Sequence, residues 1–239
     1  MAAAAGVGVK ALVPVAGRPL VQYVVEAVRQ AAEVSEPVVI CSPGARLPDA
    51  AILGARQVEA GGADFADSVR SAAEEALDGN VCLLTADLPG LTGAAVDATA
   101  KFALDSGADL TYTIAEVGAV SAAFPGTVRT VVRLREGDFT GGNLVVARRE
   151  VLLTSLPRIE VAFERRKSIV GLALLLGPMF LFRMALGRVS LAVVVARGER
   201  ILGCRVAVHV SPCPEIAMDV DKPSDVAAAE RYLSARNAG

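Results

Sequence analysis

Between Pro19 and Val34 the apolar residues Leu20, Val21, Val24, Val25, Val28, Ala31 and Ala32 recur at helical spacing, with Gln22, Glu26, Arg29 and Glu33 between them. The pattern predicts an amphipathic helix opening at a proline, whose fixed φ suits a first turn. "PVVICS" then reads as a short buried strand, and "DFADSVRSAAEEAL" returns to the helical period through Phe65, Val69, Ala72, Ala73 and Ala76. "NVCLLTAD" predicts the next strand, "TGAAVDATAKFALDSG" a helix stopping at Gly107, and "ADLTYTIAE" a further strand. Strands alternating with amphipathic helices predict an α/β, Rossmann-like fold, a mostly parallel sheet with helices on both faces.

From Glu116 the rhythm changes. "TVRTVVRLREGDFTGGNLVVARRE" predicts two β segments around a turn containing Gly137 and Asp138, and helical material follows over about 149–200. "CRVAVHVS" resumes as a strand, and a last helix starts at Pro223 with Asp225 in its first turn. No repeat or linker divides these parts, so the expectation is one domain over 1–239 with a helical insertion. Within the insertion, "IVGLALLLGPMFLF" (Ile169 to Phe182) is uncharged and follows Arg165, Arg166 and Lys167. A spanning helix needs about 20 apolar residues. This run is shorter and broken at Gly177-Pro178, which predicts two short helices packed together or against a partner subunit. Membrane contact is not expected, and a homodimer through this stretch is an open option, the oligomeric state not being specified by these residues.

Composition narrows the chemistry. The formal charge of −2 gives no electrostatic footprint for nucleic acid. Cys41, Cys82, Cys204 and Cys213 lack C-x-x-C spacing and read as free thiols. "MAAAAGVGVK" lacks the charged start and long apolar segment of a signal peptide, so a cytoplasmic location is expected.

Two acidic stretches carry the candidate chemistry. "VCLLTADLPGLT" ends a buried strand on Asp87, and Pro89 stops the ladder beyond it. In open α/β sheets ligands collect outside the carboxyl ends of strands, where such a carboxylate can face a metal or a phosphate. Asp87 can equally cap the helix beginning near Thr92 or start a turn. "EIAMDVDKPSDV" places Asp219 and Asp221 at alternate positions of an extended segment, so both point to one side. Hard divalent ions such as Mg²⁺ take one or two carboxylates plus substrate phosphates, and Asp87 with Asp221 could form such a site. His209, alternating with apolar residues in "VAVHVS", reads as a strand residue rather than a catalyst.

"KALVPVAGRPLVQYVVEAV", "LLTADLPGLT", "FTGGN" and "MDVDKPSDV", in this order, resemble the MobA-like NTP transferase family and, more broadly, nucleotidyltransferases that include sugar-phosphate and methylerythritol-phosphate cytidylyltransferases. The resemblance implies a nucleotide-diphospho-sugar transferase fold of the GT-A type. It implies a Mg²⁺-dependent transfer of a nucleoside monophosphate from an NTP to a small phosphorylated acceptor, with release of pyrophosphate. An acceptor phosphate is already anionic, so positioning and charge neutralisation carry such a reaction without a strong base. On this resemblance Asp87 and Asp221 match the metal ligands, with Asp219 a helper. Lys10 matches the lysine on the nucleotide phosphates and Arg18 the basic residue of the "G-R-P-L" element. A solvated Arg at a helix start explains Arg18 equally. Gly61-Gly62 and Ser68 resemble the element near base and ribose, for which a plain turn before a helix is the alternative. Gly141, Gly142 and Asn143 resemble the acceptor-side loop, and a hairpin or bulge glycine explains the same letters.

Members of the family open with a strand and an "L-A-G-G" loop that cradles the triphosphate, and no such segment precedes Lys10. The expectation is either that the start lies further upstream or that the chain is a divergent, non-catalytic nucleotide-binding or assembly protein. The NTP and the acceptor are not specified by these residues.

Overall fold

The computed structural model describes residues 8–76, 79–165 and 176–237. A 3-10 turn at Lys10–Leu12 leads into a small antiparallel hairpin of β1 (Pro14–Val15) and β2 (Arg18–Pro19). Its two turn residues, Ala16 and Gly17, have φ of +47° and +77°, the pair of positive angles a two-residue hairpin needs. Glu230 accepts the Ala16 N–H at 3.0 Å and holds the strained residue in place. α1 (Leu20–Gln30) buries Leu20, Val21, Val24, Val25 and Val28 as the pattern predicts. It ends short of Val34 because Asp97 Oδ1 accepts the N–H groups of Ala32 and Glu33 at 2.9 and 2.8 Å, offering the backbone an alternative to another helical turn.

β3 (Val38–Cys41) and β4 (Arg56–Glu59) form a separate parallel pair. β4, "RQVE", was not legible, since both its ends are charged and exposed. α2 (Phe65–Glu75) opens on a reciprocal cap between Asp64 and Asp67. The main sheet contains β5 (Asn80–Leu84), β6 (Leu110–Glu116), β7 (Val132–Leu134), β8 (Gly137–Arg148) and β9 (Val206–Ser211). Its order is β5-β8-β6-β9, with β7 beside the start of β8. β6 and β9 are parallel, while β8 runs antiparallel to β5, β6 and β7. The sheet is thus mixed, with one reversed strand among strands that otherwise point the same way. The reversal follows from the connection: Arg135 and Glu136 alone join β7 to β8, and so short a link can only return the chain antiparallel. Gly137 and Asp138, expected in the turn, instead open β8.

Alternate residues of β5 feed two cores, which explains its unbroken apolar run. Cys82 and Leu84 pack with Leu20, Val24, Val96, Phe124, Leu144, Ile216 and Met218, whereas Val81 and Leu83 pack with Val69, Ala73, Leu152 and Leu156. α3 (Gly93–Ser106) is capped by Thr92 Oγ1, which accepts the Ala95 N–H at 3.2 Å, and stops at Gly107 with φ +61°. α4 (Val117–Ala123), a short helix after β6, was not anticipated. The helical section contains α5 (Arg149–Arg165), α6 (Pro178–Ala185) and α7 (Leu191–Leu202), and α8 (Pro223–Asn237) closes the chain. The first part of the apolar run from Ile169, with Arg166 and Lys167, lies outside the described residues. Among the described residues no helix is long and apolar enough to cross a membrane. His209 is buried on β9, 3.2 Å from Thr99 Oγ1 and stacked on Phe102, and burial holds its pKa down.

Asp109 clips the sheet together just before β6. Its carboxylate accepts the Arg205 N–H at 2.9 Å and Arg205 Nη2 at 3.0 Å, and Arg148 Nε lies 3.5 Å away. Hydrogen bonds from Arg205 hold the Asp109 pKa below its ordinary 3.8. A depressed carboxylate stabilises the fold above its unfolded pKa, and that contribution is lost as pH falls through the folded value. Asp109→Asn is therefore expected to lower the melting temperature by about 2 °C near neutrality. The difference from the unaltered protein should shrink as pH falls below the ordinary 3.8 and through the depressed folded value, as melts across an acid pH series would register.

Candidate active site

β5 releases the chain at Leu84, and the Thr85 N–H donates to Asn143 O at 3.3 Å before the segment reaches Asp87. From the far end of the sequence, a 3-10 turn at Pro214–Ala217 feeds an extended stretch through Met218 to Asp221. The Val220 N–H donates to Asp87 O at 3.1 Å. That one backbone bond lays the two acidic stretches side by side, with Asp219 and Asp221 flanking the bonded residue. Oxygens of Asp87, Asp219 and Asp221 consequently all lie within 4.8 Å of one another. The alternate spacing of Asp219 and Asp221 does present both carboxylates to one side. Asp87 is not the cap of α3, a role Thr92 fills.

Such crowding needs cations. Lys10 Nζ stands 2.5 Å from both Asp87 Oδ2 and Asp221 Oδ1. Burial alone would lower the Lys10 pKa, but its hydrogen bonds to Asp221 and Asp87 outweigh that and raise it. The bond from Lys10 in turn holds Asp221 below the ordinary carboxylate range. Asp219 behaves oppositely: burial raises its pKa, with Asp87 and Asp221 adding to the rise against the opposing pull of Arg129.

Arg129 escaped the sequence reading. Its Nη1 donates to Asp219 Oδ1 at 2.7 Å and its Nη2 to Asp219 O at 2.9 Å, while Asp225 Oδ1 lies 3.7 Å away. Asp225 Oδ2 accepts the N–H groups of Asp221 and Lys222 at 3.0 and 2.9 Å, fixing the turn into α8. Arg129 stands in coil between α4 and β7, in "GTVRTVV", where no periodicity or motif marks it. Its side chain is only 12% exposed, so a largely shielded guanidinium clamps the acidic segment from behind.

The donor set suits a hard divalent cation. Asp87 Oδ1 is buried with no hydrogen-bond partner among the described residues, an arrangement that is costly unless something else satisfies the oxygen. Asp87 and Asp221 could each supply an oxygen to an ion that replaces the Lys10 ammonium between them, with Asp219 held ready by Arg129. Lys10, 38% exposed, would then be free to turn toward a bound anion.

Among the described residues, none of the other expected site residues hydrogen-bonds the three carboxylates. Arg18 pairs with Glu26 Oε2 at 2.6 Å and its guanidinium sits 4.6 Å over the Tyr23 ring, a local arrangement at the start of α1. Gly61 and Gly62 follow β4, and a Cβ on Gly62 would collide with the Asp67 carboxylate of the α2 cap. Ser68 is half-buried in the first turn of α2, with its hydroxyl 3.5 Å from Asp64 O. Gly141, Gly142 and Asn143 are not in a loop but within β8, where the register against β6 slips and forms a bulge. A Cβ on Gly142 would collide with Thr113 Oγ1 and fall 2.8 Å from Ile216 Cδ1. Gly142 therefore admits a close approach that a side chain would block. Asn143 instead ties the two acidic segments together, through Thr85 on one side and Ile216 O, 3.4 Å from its Nδ2, on the other.

Removing the clamp behind Asp219 should loosen the acidic cluster. Arg129→Met is expected to weaken Mn²⁺ binding by about 10–100-fold, the usual effect of losing a group that orients a metal ligand. Arg129→Lys should recover part of it. Calorimetric titration of both variants reads the difference, and unchanged affinity in Arg129→Met would remove Asp219 from the ligand set.

Known proteins share this architecture. A transferase structure from Thermus thermophilus, described as hypothetical, is 38% identical and superposes with a TM-score of 0.81 over 94% of this chain and 93% of that one. A 2-C-methyl-D-erythritol 4-phosphate cytidylyltransferase, also of Thermus thermophilus, shares the fold at 21% identity and a TM-score of 0.57, over 94% of each chain. So does molybdopterin-guanine dinucleotide biosynthesis protein A of Archaeoglobus fulgidus, at 13% identity and 0.53, over 95% of this chain and 91% of that one. A search of curated proteins finds no match. The family model for the MobA-like NTP transferase domain matches residues 5–170, which contain Lys10 and Asp87, and the chain belongs to that family of nucleotidyltransferases.

Proposed function

We propose that the protein transfers a nucleoside monophosphate from an NTP to a small phosphorylated acceptor. An acceptor phosphate oxygen attacks the α-phosphorus and forms a new P–O bond. The bond to the bridging α–β oxygen breaks, and pyrophosphate leaves with that electron pair. The observation carrying the proposal is the meeting of Asp87, Asp219 and Asp221 around Lys10, with one Asp87 oxygen buried and unmatched. Asp87 and Asp221 would hold Mg²⁺ and Asp219 would support them. The ion would supply charge neutralisation and orientation of the triphosphate.

In this reading Lys10 acts on the nucleotide. Released from its two carboxylates, its ammonium adds a positive charge where the triphosphate gathers negative charge. No side chain need abstract a proton, because the acceptor phosphate is already ionised at neutral pH, and the cluster offers carboxylates and cations rather than a base and nucleophile. Family membership supports the reaction type, and the transferase from Thermus thermophilus supports it at 38% identity.

Pyrophosphate release measured with each NTP against a panel of sugar and cofactor phosphates tests the proposal. Turnover is expected with one acceptor class, abolished by chelator and restored by Mg²⁺. Asp87→Asn is expected to lower kcat by about 100-fold or more, and Lys10→Ala to raise KM for the NTP as well as lower kcat. Absence of turnover with every pair, together with absence of divalent binding, would favour a non-catalytic nucleotide-binding or assembly protein.

A further inference from the structure

Charge is unevenly distributed along the chain. Positions 129–205 hold fourteen Lys and Arg against six Asp and Glu, whereas the rest of the chain holds ten against twenty. From 165 to 198 there are six basic residues and no acidic one. The overall charge of −2 conceals a strongly basic section inside an acidic protein.

α6 and α7 give that section a surface. α6, "PMFLFRMA", has one polar side chain and is apolar on two faces. Phe180 and Met184 pack on Ile114, Leu134, Phe139 and Val189 at the sheet. Met179, Phe182 and Leu186, at i, i+3 and i+7, form a second stripe that stays open, 69%, 61% and 49% exposed. Val193 of α7, 50% exposed, meets Met179 at the rim of a cavity of about 240 Å³ whose other walls include Arg135, Arg183 and Arg188. Arg183 and Arg188 are exposed. Among the described residues, neither they nor Arg135 commit their guanidinium groups to a hydrogen bond or an ion pair. Glu136 Oε2 accepts the Leu191 N–H at 3.0 Å at the start of α7, and among the described residues this carboxylate makes no ion pair with the three arginines.

We propose that this face docks on the surface of a bilayer containing anionic lipid. The open stripe of Met179, Phe182 and Leu186 enters the boundary between headgroups and acyl chains, while Arg183, Arg188 and Arg135 meet the lipid phosphates. A basic face combined with exposed large apolar side chains is what interfacial binding requires, and neither helix needs to span. Charge argues against a second copy as occupant, since a two-fold pairing through this face would bring two copies of the same basic patch together with no ion-paired carboxylate among the described residues to offset them. Interfacial contact, not expected from the length of the apolar run alone, emerges only when the exposed stripe and the unpaired arginines are seen together.

Sedimentation of the full chain with vesicles tests this. Binding to phosphatidylcholine mixed with phosphatidylglycerol is expected to be at least about tenfold tighter than to phosphatidylcholine alone, and to weaken as salt is raised. Phe182→Ser, and Arg183→Glu with Arg188→Glu, should each reduce it about tenfold or more with the circular dichroism spectrum unchanged. Arg46→Glu, an exposed charge in another part of the chain, should leave it unaltered. Equal binding to both vesicle types, binding to neither, or an Arg46→Glu effect as large as that at Arg183 and Arg188 would overturn the proposal. So would a dimer in solution that Phe182→Ser dissociates while vesicle binding is absent, which would assign the face to a second copy.

Discussion

Three carboxylates within 4.8 Å of one another are the constraint around which this molecule is built. At such separations each pair of like charges repels by about 3–4 kcal/mol for an effective dielectric near 20. The fold tolerates the cluster only because it brings cations from distant parts of the sequence: Lys10 from the start of the chain and Arg129 from the coil before β7. The two cations do different work. Lys10 is partly exposed and bridges the front of the cluster, where it can be exchanged. Arg129 is largely shielded from solvent and grips Asp219 from behind through side chain and backbone, where it cannot.

The mixed sheet makes this possible. β5 carries Asp87 to its edge, and β8, reversed by the two-residue link from β7, runs beside it and supplies Asn143 between the acidic segments. The bulge at Gly141 and Gly142 lets β8 pass under Thr113 and Ile216, so the 3-10 turn that launches Asp219 and Asp221 can pack close. Gly142 in particular makes room for the side chains of Thr113 and Ile216 against β8. The same sheet seats α6 on Ile114, Leu134 and Phe139, and leaves the outer face of that helix basic and apolar.

Sequence patterning revealed what depends on local periodicity. α1, α2, α3 and α8, and the strands β3, β5, β6 and β9, follow from apolar spacing and caps. Strand direction does not, because alternation looks the same in either sense, and the reversal of β8 depended on a turn placed two residues from where Gly137 suggested it. β4 was hidden by its polar letters. For the site, Asp87, Asp221 and Lys10 were legible from strand-end position and from resemblance. Arg129 was not, since its significance exists only in relation to Asp219, ninety positions away. Arg18 pairs with Glu26 and lies over the Tyr23 ring at the start of α1.

The most direct test of this account is the anomalous signal of Mn²⁺ in crystals grown with a nucleoside triphosphate. The account predicts a peak between the carboxylates of Asp87 and Asp221, with the Lys10 ammonium withdrawn from both and directed at a phosphate. A map with no peak at that position under saturating Mn²⁺, and Lys10 still bridging the two aspartates, would contradict it.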